Sequence, residues 1–324
     1  MPAPLIRRAH RAKTQYRNRG CHAVILSSGS TIESPHEEEP PPDRGVAIIT
    51  DLPTALFPDG LTWGPLGLLA LVAFAAGWVD AVVGGGGLLQ LPALLLVPGI
   101  TPVQALATNK FASIFGTATS SVTYYRRTHP DLRTALPMAG FALAGSFAGA
   151  SVAALLPVAV FKPIIVLALL GVAIFTATRP AMGAETRLRF SDQRRHHGTA
   201  ALIGAGIGFY DGMLGPGTGT FLVISLVSVL GYNFLEASAK AKIVNFATNL
   251  GALLLFVPHG AVLWGLGAVL AAANMAGGYL GSRTAIARGS GFVRVAFLAV
   301  VTVLIVRLGF DVWNESLRGW FAAR

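Results

Sequence analysis

The sequence predicts an all-α polytopic membrane protein built from two tandem homologous repeats in inverted orientation. About eight or nine helices would cross the bilayer, with short broken or re-entrant helices after glycine-rich breaks. Three observations carry this expectation. Of 324 residues, 53% are hydrophobic and only 12% charged, against about 25% charged in a soluble domain. From residue 61 onward long apolar runs follow one another with few interruptions. Finally, one pattern of aspartate, glycine break and lysine occurs twice, at an offset of 131 or 132 residues.

The chain divides into five parts: a polar N-terminal tail (1–60), a first transmembrane repeat (61–178), a basic loop (179–198), a second repeat (199–310) and a short C-terminal tail (311–324). The tail begins basic and continues into Glu37-Glu38-Glu39-Pro40-Pro41-Pro42, a composition that cannot assemble a core. Val24-Ile25-Leu26 is too short for the apolar region of a signal peptide, and no A-x-A site follows it. Pro53 and Pro58 argue against a spanning helix in 45–58. The single cysteine, Cys21, permits no intramolecular disulfide.

The net charge of +10 comes entirely from beyond the tail, because residues 1–60 hold seven basic and seven acidic groups. Most of the excess lies between apolar runs, as in a membrane protein with basic cytoplasmic loops, and not as a nucleic-acid footprint. Loops 126–133 and 179–198 are both basic and are expected in the cytoplasm. In the second half the basic loop shifts to 282–294, with Arg283, Arg288 and Arg294, while Pro258-His259-Gly260 is a bare turn. This shift favours opposite orientations of the two repeats, although a parallel arrangement is open if the short segments are re-entrant.

The apolar runs cover 62–83, 88–98, 103–125, 134–156, 160–178, 199–214, 219–231, 235–257, 261–281 and 291–310. They are continuously apolar, unlike the alternating strands of a β-barrel, and helices alone then satisfy the backbone in lipid. Two runs are short. Residues 88–98 as a helix span about 16 Å, half of a hydrocarbon core of about 30 Å, and 219–231 is similar. Each follows a break, Gly84-Gly85-Gly86-Gly87 or Gly215-Pro216-Gly217-Thr218-Gly219. Short, glycine-interrupted segments at matching places in two halves point to a transporter binding site.

The offset pairs Asp80 with Asp211, Gly84 with Gly215, Lys110 with Lys242, Gly145 with Gly277 and Gly149 with Gly281. Charges within membrane segments are rare, so the Asp and Lys matches carry the most weight. Asp80 and Asp211 are expected either to couple a proton or ion, or to cap the half-helix that follows. The breaks are expected to aim a positive helix end at an anion, through Gly84, Gly85, Gly86, Gly87, Gly215, Gly217 and Gly219. Lys110 and Lys242 are expected to contact that anion; the competing expectation is an ion pair with Asp80 or Asp211. Asn109 sits beside Lys110. Asn245 and Asn249 share a helix face and either line the same cavity or bond across helices. No histidine has metal-ligand spacing, and His129, His196, His197 and His259 are expected to be solvated. No metal, cofactor or catalytic residue is expected.

These residues resemble a known family. Gly77-x-x-Asp80-Ala81-x-x-Gly84-Gly85-Gly86-Gly87, Pro92 and Ala107-Thr108-Asn109-Lys110 look like the first-repeat signature of the sulfite exporter TauE/SafE family. Gly208-x-x-Asp211-Gly212-x-x-Gly215-Pro216-Gly217-x-Gly219, Ala239-Lys240-x-Lys242 and Asn245-x-x-x-Asn249 look like its second. The resemblance covers residues 62–310, and the tail departs from the family's usual short start. It implies a multi-pass carrier of the cell (inner) membrane for a small sulfur-containing anion of the sulfite, sulfonate or sulfoacetate type. Carriage would be driven by protons or ions, and the expected partners are that anion, the lipid bilayer and a second copy in a homo-oligomer. Two other functions compete: a non-transporting membrane scaffold or sensor with the tail as its partner-binding part, and a membrane-embedded enzyme.

Overall fold

The structure is a computed structural model that describes residues 57–58, 61–153 and 185–322. The expected segment 160–178, most of the tail 1–60 and the first part of the basic loop lie outside the described residues. All the regular elements described are helical. They are α1 (Trp63–Val83), α2 (Gly87–Leu95), α3 (Pro102–Thr128), α4 (Leu132–Ala153), α5 (Gln193–Met213), α6 (Thr218–Ser225), α7 (Phe234–Phe256) and α8 (Trp264–Ala322).

Local chemistry sets the ends of these helices. Gly84 terminates α1 in the left-handed region, φ 88°, and its N–H bonds the carbonyl of Asp80. Thr101 opens α3 with a reciprocal cap: its hydroxyl accepts from Gln104 N at 3.2 Å, and its N–H donates to Gln104 Oε1 at 3.0 Å. Pro102 follows at the first helical position, where a missing N–H costs nothing. Arg126 and Arg127 close α3 at the negative end of its dipole. Asn233 caps α7, its side chain accepting from Glu236 N at 2.8 Å.

The two short runs are short helices. α2 has 9 residues, and α6 has 8 before it widens into a π-helical turn over Leu226–Leu230. Gly231, at φ 88°, ends that turn. Two boundaries differ from the sequence expectation. α5 starts at Gln193, ahead of the apolar run at 199, because Asp192 caps it. α8 continues past 310 to Ala322 and is broken only at Gly289 (φ 73°), which separates the last two expected runs.

Among the described residues, α1 and α4 are long and apolar enough to cross a membrane, with mean hydropathies of 2.1 and 1.4. Large apolar side chains face outward, including Leu68, Leu71, Phe141, Leu202 and Val303. Polar side chains are turned inward: Gln90, Asn109, Lys110, Asp211, Lys242, Thr248 and Asn249 are all buried. Water would favour the reverse distribution, and hydrocarbon favours this one.

Helix contacts between the halves are reciprocal. Gly77 of α1 abuts the backbone of Asn274 in α8, while Gly277 and Gly281 of α8 abut the carbonyls of Phe74 and Trp78. On the other side Gly208 of α5 abuts Ala142 in α4, while Gly145 and Gly149 of α4 abut the carbonyls of Ala205 and Phe209. Each contact in one set becomes its counterpart in the other when residue numbers are moved by 131 or 132. The missing Cβ lets the helix backbones touch, which holds helices together where lipid supplies no hydrophobic drive.

Candidate functional site

The site forms where α1, α3, α5 and α7 meet the two glycine breaks. Asp80 lies in the last turn of α1 and Asp211 in the last turn of α5. Lys110 lies in the third turn of α3, and Lys242 at the matching depth of α7. The pairing crosses between the halves. Lys110 Nζ is 2.5 Å from Asp211 Oδ1, and both side chains are 2% exposed. Lys242 Nζ donates to Asp80 Oδ2 at 2.9 Å. Here the lysine is fully buried and the aspartate side chain is 14% exposed. The competing expectation for the lysines, an ion pair with Asp80 or Asp211, therefore describes this structure. The partner in each case comes from the other half of the chain.

Neither aspartate bonds the free amides of the following half-helix through its carboxylate among the contacts described. Asp211 instead accepts from the Thr218 hydroxyl at 2.6 Å, and that hydroxyl also lies 2.8 Å from the Gly215 carbonyl. Its other oxygen, Oδ2, is buried without a hydrogen-bond partner. The carboxylate is thus satisfied on one side and bare on the other. A buried anionic oxygen left without a donor is costly.

The two breaks pack on each other. Thr220 N, in the first turn of α6, donates to the Gly84 carbonyl at 3.1 Å, and the Thr220 hydroxyl to the Val83 carbonyl at 3.3 Å. A Cβ on Gly84 would collide with the backbone of Gly219, and the positive φ already excludes most side chains. Gly215 and Gly217 also have positive φ, and a Cβ on Gly215 would lie 3.4 Å from Lys110 Nζ. Gly86 packs against Ala76 and Asp80, and Gly87 faces Pro216, Gly215 and the amide of Asn109. Tyr210 fixes the second break, its hydroxyl donating to the Pro216 carbonyl at 2.6 Å.

Of the expected asparagines, Asn109 and Asn249 are buried, and each has one amide atom without a partner, Oδ1 and Nδ2 respectively. Asn245 stays within its own helix and accepts from the Thr248 hydroxyl at 3.2 Å. Gly85 makes its described backbone contact through its carbonyl, to Leu88 N at 3.1 Å.

Several polar residues carried no sequence signal. Asn274 donates to Gln90 Oε1 at 2.8 Å, joining α8 to the short α2. Ser146 donates to the Thr248 carbonyl at 2.6 Å. None of these residue types is distinctive in a Gly/Ala/Ser/Thr-rich chain, so only the helix contacts reveal them. His196 departs from the expectation of a solvated side chain. It is 6% exposed, and its Nε2 lies 2.9 Å from the Tyr232 hydroxyl, because α5 starts early and carries it beneath the loop before α7. His129 and His259 are exposed as expected, and His197 is half-buried. Among the described residues no group of three His, Cys, Asp or Glu converges as a metal site.

Known proteins place this arrangement. Residues 69–308 match the family described as "Sulfite exporter TauE/SafE". The chain is 37% identical over 261 residues to "Probable membrane transporter protein ORF9" of Sinorhizobium sp, covering 79% of this chain and 96% of that protein. It is 33% identical over 257 residues to "Probable membrane transporter protein YfcA" of Escherichia coli strain K12, covering 79% and 93%. A "Probable membrane transporter protein" of Haemophilus influenzae is 31% identical over 256 residues, covering 79% and 96%. No solved structure matches. A chain whose described elements are all helical, with outward apolar faces, inward charges and this family match over most of its length, is a membrane transporter-family protein: it belongs to the sulfite exporter TauE/SafE family.

Proposed function

We propose that the chain is a multi-pass carrier of the cell (inner) membrane that moves a small sulfur-containing anion, of sulfite, sulfonate or sulfoacetate type, together with protons. The two halves act as inverted repeats, with about eight or nine spanning helices and the short α2 and α6 meeting at mid-membrane. The reciprocal glycine contacts support the repeat reading, and the shifted basic loop supports the inversion.

The crossed pairs Lys110–Asp211 and Lys242–Asp80 carry the proposal. An empty carrier with these pairs closed holds no net charge at its centre. When a monoanion enters with one proton, or a dianion with two, each proton neutralises one aspartate and frees its lysine to hold the anion. The net charge at the centre is again zero. Either state then avoids burying an uncompensated charge, which is the dominant cost inside hydrocarbon. Asp80 is the more accessible carboxylate, so its pair opens first. The glycine breaks let the anion approach backbone amides at close range. Because each pair joins opposite halves, opening it also releases a tie between them.

The test is flux of radiolabelled sulfite and a panel of sulfonates into proteoliposomes, with and without a pH gradient. Lys110→Gln and Asp80→Asn should each abolish anion flux, and a pH gradient should drive uptake in the wild type. Undiminished flux in Lys110→Gln would remove the lysine from the mechanism.

A further inference from the structure

A polar cavity of about 600 Å³ lies away from the central pairs, and none of their residues lines it. Its walls are Asp131 just before α4, Arg133 and Thr134 in the first turn of α4, the loop 188–191 with Arg189, the first turns of α5 with His196 and His197, and Tyr232. The loop is held in place by backbone bonds from Arg187 N to the Gly231 carbonyl (2.8 Å) and from Arg189 N to the Leu230 carbonyl (3.2 Å). Thr186 ties it further to Asn233 and Glu236. The N-terminal ends of α4 and α5, of 22 and 21 residues, both come to this cavity. Each helix end carries its own carboxylate cap, Asp131 on α4 and Asp192 on α5, while Arg133 and Arg189 bring two positive charges to a lining whose one carboxylate is Asp131.

His196 supplies the second, independent observation. It is buried, it lines the cavity, and its Nδ1 has no hydrogen-bond partner. A chain of hydrogen bonds fixes which nitrogen carries the proton. The Thr134 hydroxyl donates to Asp131 Oδ2 at 2.6 Å, because an ionised carboxylate only accepts. The Tyr232 hydroxyl donates to Thr134 Oγ1 at 3.3 Å. Tyr232 has then spent its one proton, so it accepts from His196 Nε2–H at 2.9 Å. Nδ1 is left as a bare lone pair. It becomes a donor only when a proton is added.

We propose that this cavity is a second anion site, which takes up a small oxyanion together with one proton on His196 Nδ1. The proton is released by a hydronium ion or buffer acid in solution as its own bond to that proton breaks; the guanidinium groups of Arg133 and Arg189 donate to the oxyanion, and the imidazolium charge on the buried His196 attracts it from the cavity wall. No bond other than N–H is made. The added imidazolium is stabilised by the anion and, through Tyr232 and Thr134, by Asp131. The charged and titratable groups around His196 are Asp131 before α4 and Arg133 in its first turn, Arg189 on the loop, Asp192 at the cap of α5 and His197 within it, and Tyr232, Glu236 and Lys240 toward α7. Lys240 Nζ sits 4.3 Å from the centre of the Tyr232 ring and adds positive charge behind it. The inference stands whether or not the central pairs carry the transported anion.

The test is calorimetric titration of the full chain in detergent with inorganic sulfate, at pH values about one unit below and one unit above the ordinary imidazole pKa of about 6.5. Repeating it in buffers of different ionisation enthalpy counts protons taken up. Wild type and Lys242→Gln should both bind sulfate at this site with proton uptake, and affinity should fall about tenfold per pH unit on the alkaline side. His196→Gln keeps an amide donor for Tyr232 but has nothing to protonate. It should lose the proton uptake and the pH dependence. Arg189→Gln, at an exposed loop position, should weaken binding about equally at both pH values. Sulfate binding with unchanged proton uptake in His196→Gln would overturn the inference, as would binding that vanishes in Lys242→Gln yet survives both His196→Gln and Arg189→Gln. That last outcome would leave the central site standing. Abolished flux in Lys110→Gln bears only on the central site.

Discussion

Deleting one charge of the Lys110–Asp211 pair should cost far more stability than deleting both. Lys110→Met leaves Asp211 without its counter-charge at 1% exposure, with the Thr218 hydroxyl as its remaining described donor and Oδ2 still bare. An orphaned buried charge of this kind costs about 3–5 kcal/mol. At about 2–4 °C per kcal/mol the apparent melting point should drop by about 6–20 °C. The double variant Lys110→Met/Asp211→Asn removes both charges and leaves an amide that still bonds Thr218. It should recover most of the loss, a coupling of about 2–3 kcal/mol. The same cycle at Lys242–Asp80 should show a smaller penalty for Lys242→Met, because water reaches the Asp80 carboxylate. Detergent-solubilised membrane proteins unfold irreversibly, so all variants are to be compared at one scan rate by thermal-shift fluorescence. A Lys110→Met melting point equal to wild type would refute the reasoning. So would a double variant whose loss equals the sum of the two single losses.

The remaining predictions concern the breaks, caps and tail. Gly84→Ala should prevent recovery of monodisperse protein on size-exclusion chromatography, since its Cβ meets the Gly219 backbone. Gly260→Ala, also at positive φ but with open space around it, should cost only about 1–2 kcal/mol. Thr101→Ala should lose about 1 kcal/mol and speed amide exchange in the first turn of α3, with distant helices unchanged. Asp131 is pushed up by partial burial, but its bonds from the Thr134 hydroxyl, Arg133 N and Thr134 N hold its carboxyl below the usual value of 3.8. A depressed folded pKa stabilises above the unfolded pKa and is lost as pH falls through the folded one. Stability should therefore decline below about pH 4, and Asp131→Asn should flatten that part of the pH profile. Removing residues 1–60 should leave anion flux intact; loss of flux would favour the tail-dependent scaffold or sensor.

The helices and their breaks were legible in the sequence because their causes are local. Gly84 takes up its positive φ without the steric cost other residues would meet, and Thr101-Pro102 with Gln104 opens a helix through its own capping bonds. In an apolar environment the backbone has to bond to itself, so the apolar runs from 62 onward could only become helices. The two aspartates and two lysines were legible as well, because a charge inside an apolar run is an exception that composition exposes. Where each run ends was less visible. α5 begins before its apolar stretch because a cap, not hydropathy, sets its start.

Only the tertiary structure decided how those charges are used. Spacing along the chain places Asp80 and Lys110 in the same half, yet each bonds a residue of the other half, 162 residues away for Asp80 and Lys242. That choice depends on α1 packing against α8 and α5 against α4 through glycine contacts that no local signal specifies. His196 shows the same limit: it sits in a basic, polar stretch that reads as solvated, and it is buried because Tyr232 arrives from another helix connection. Local chemistry fixes φ, caps and hydrophobic faces residue by residue. Ion pairs and buried polar chains are fixed only when distant helices close on one another, since their energy depends on the partner and on the exclusion of water.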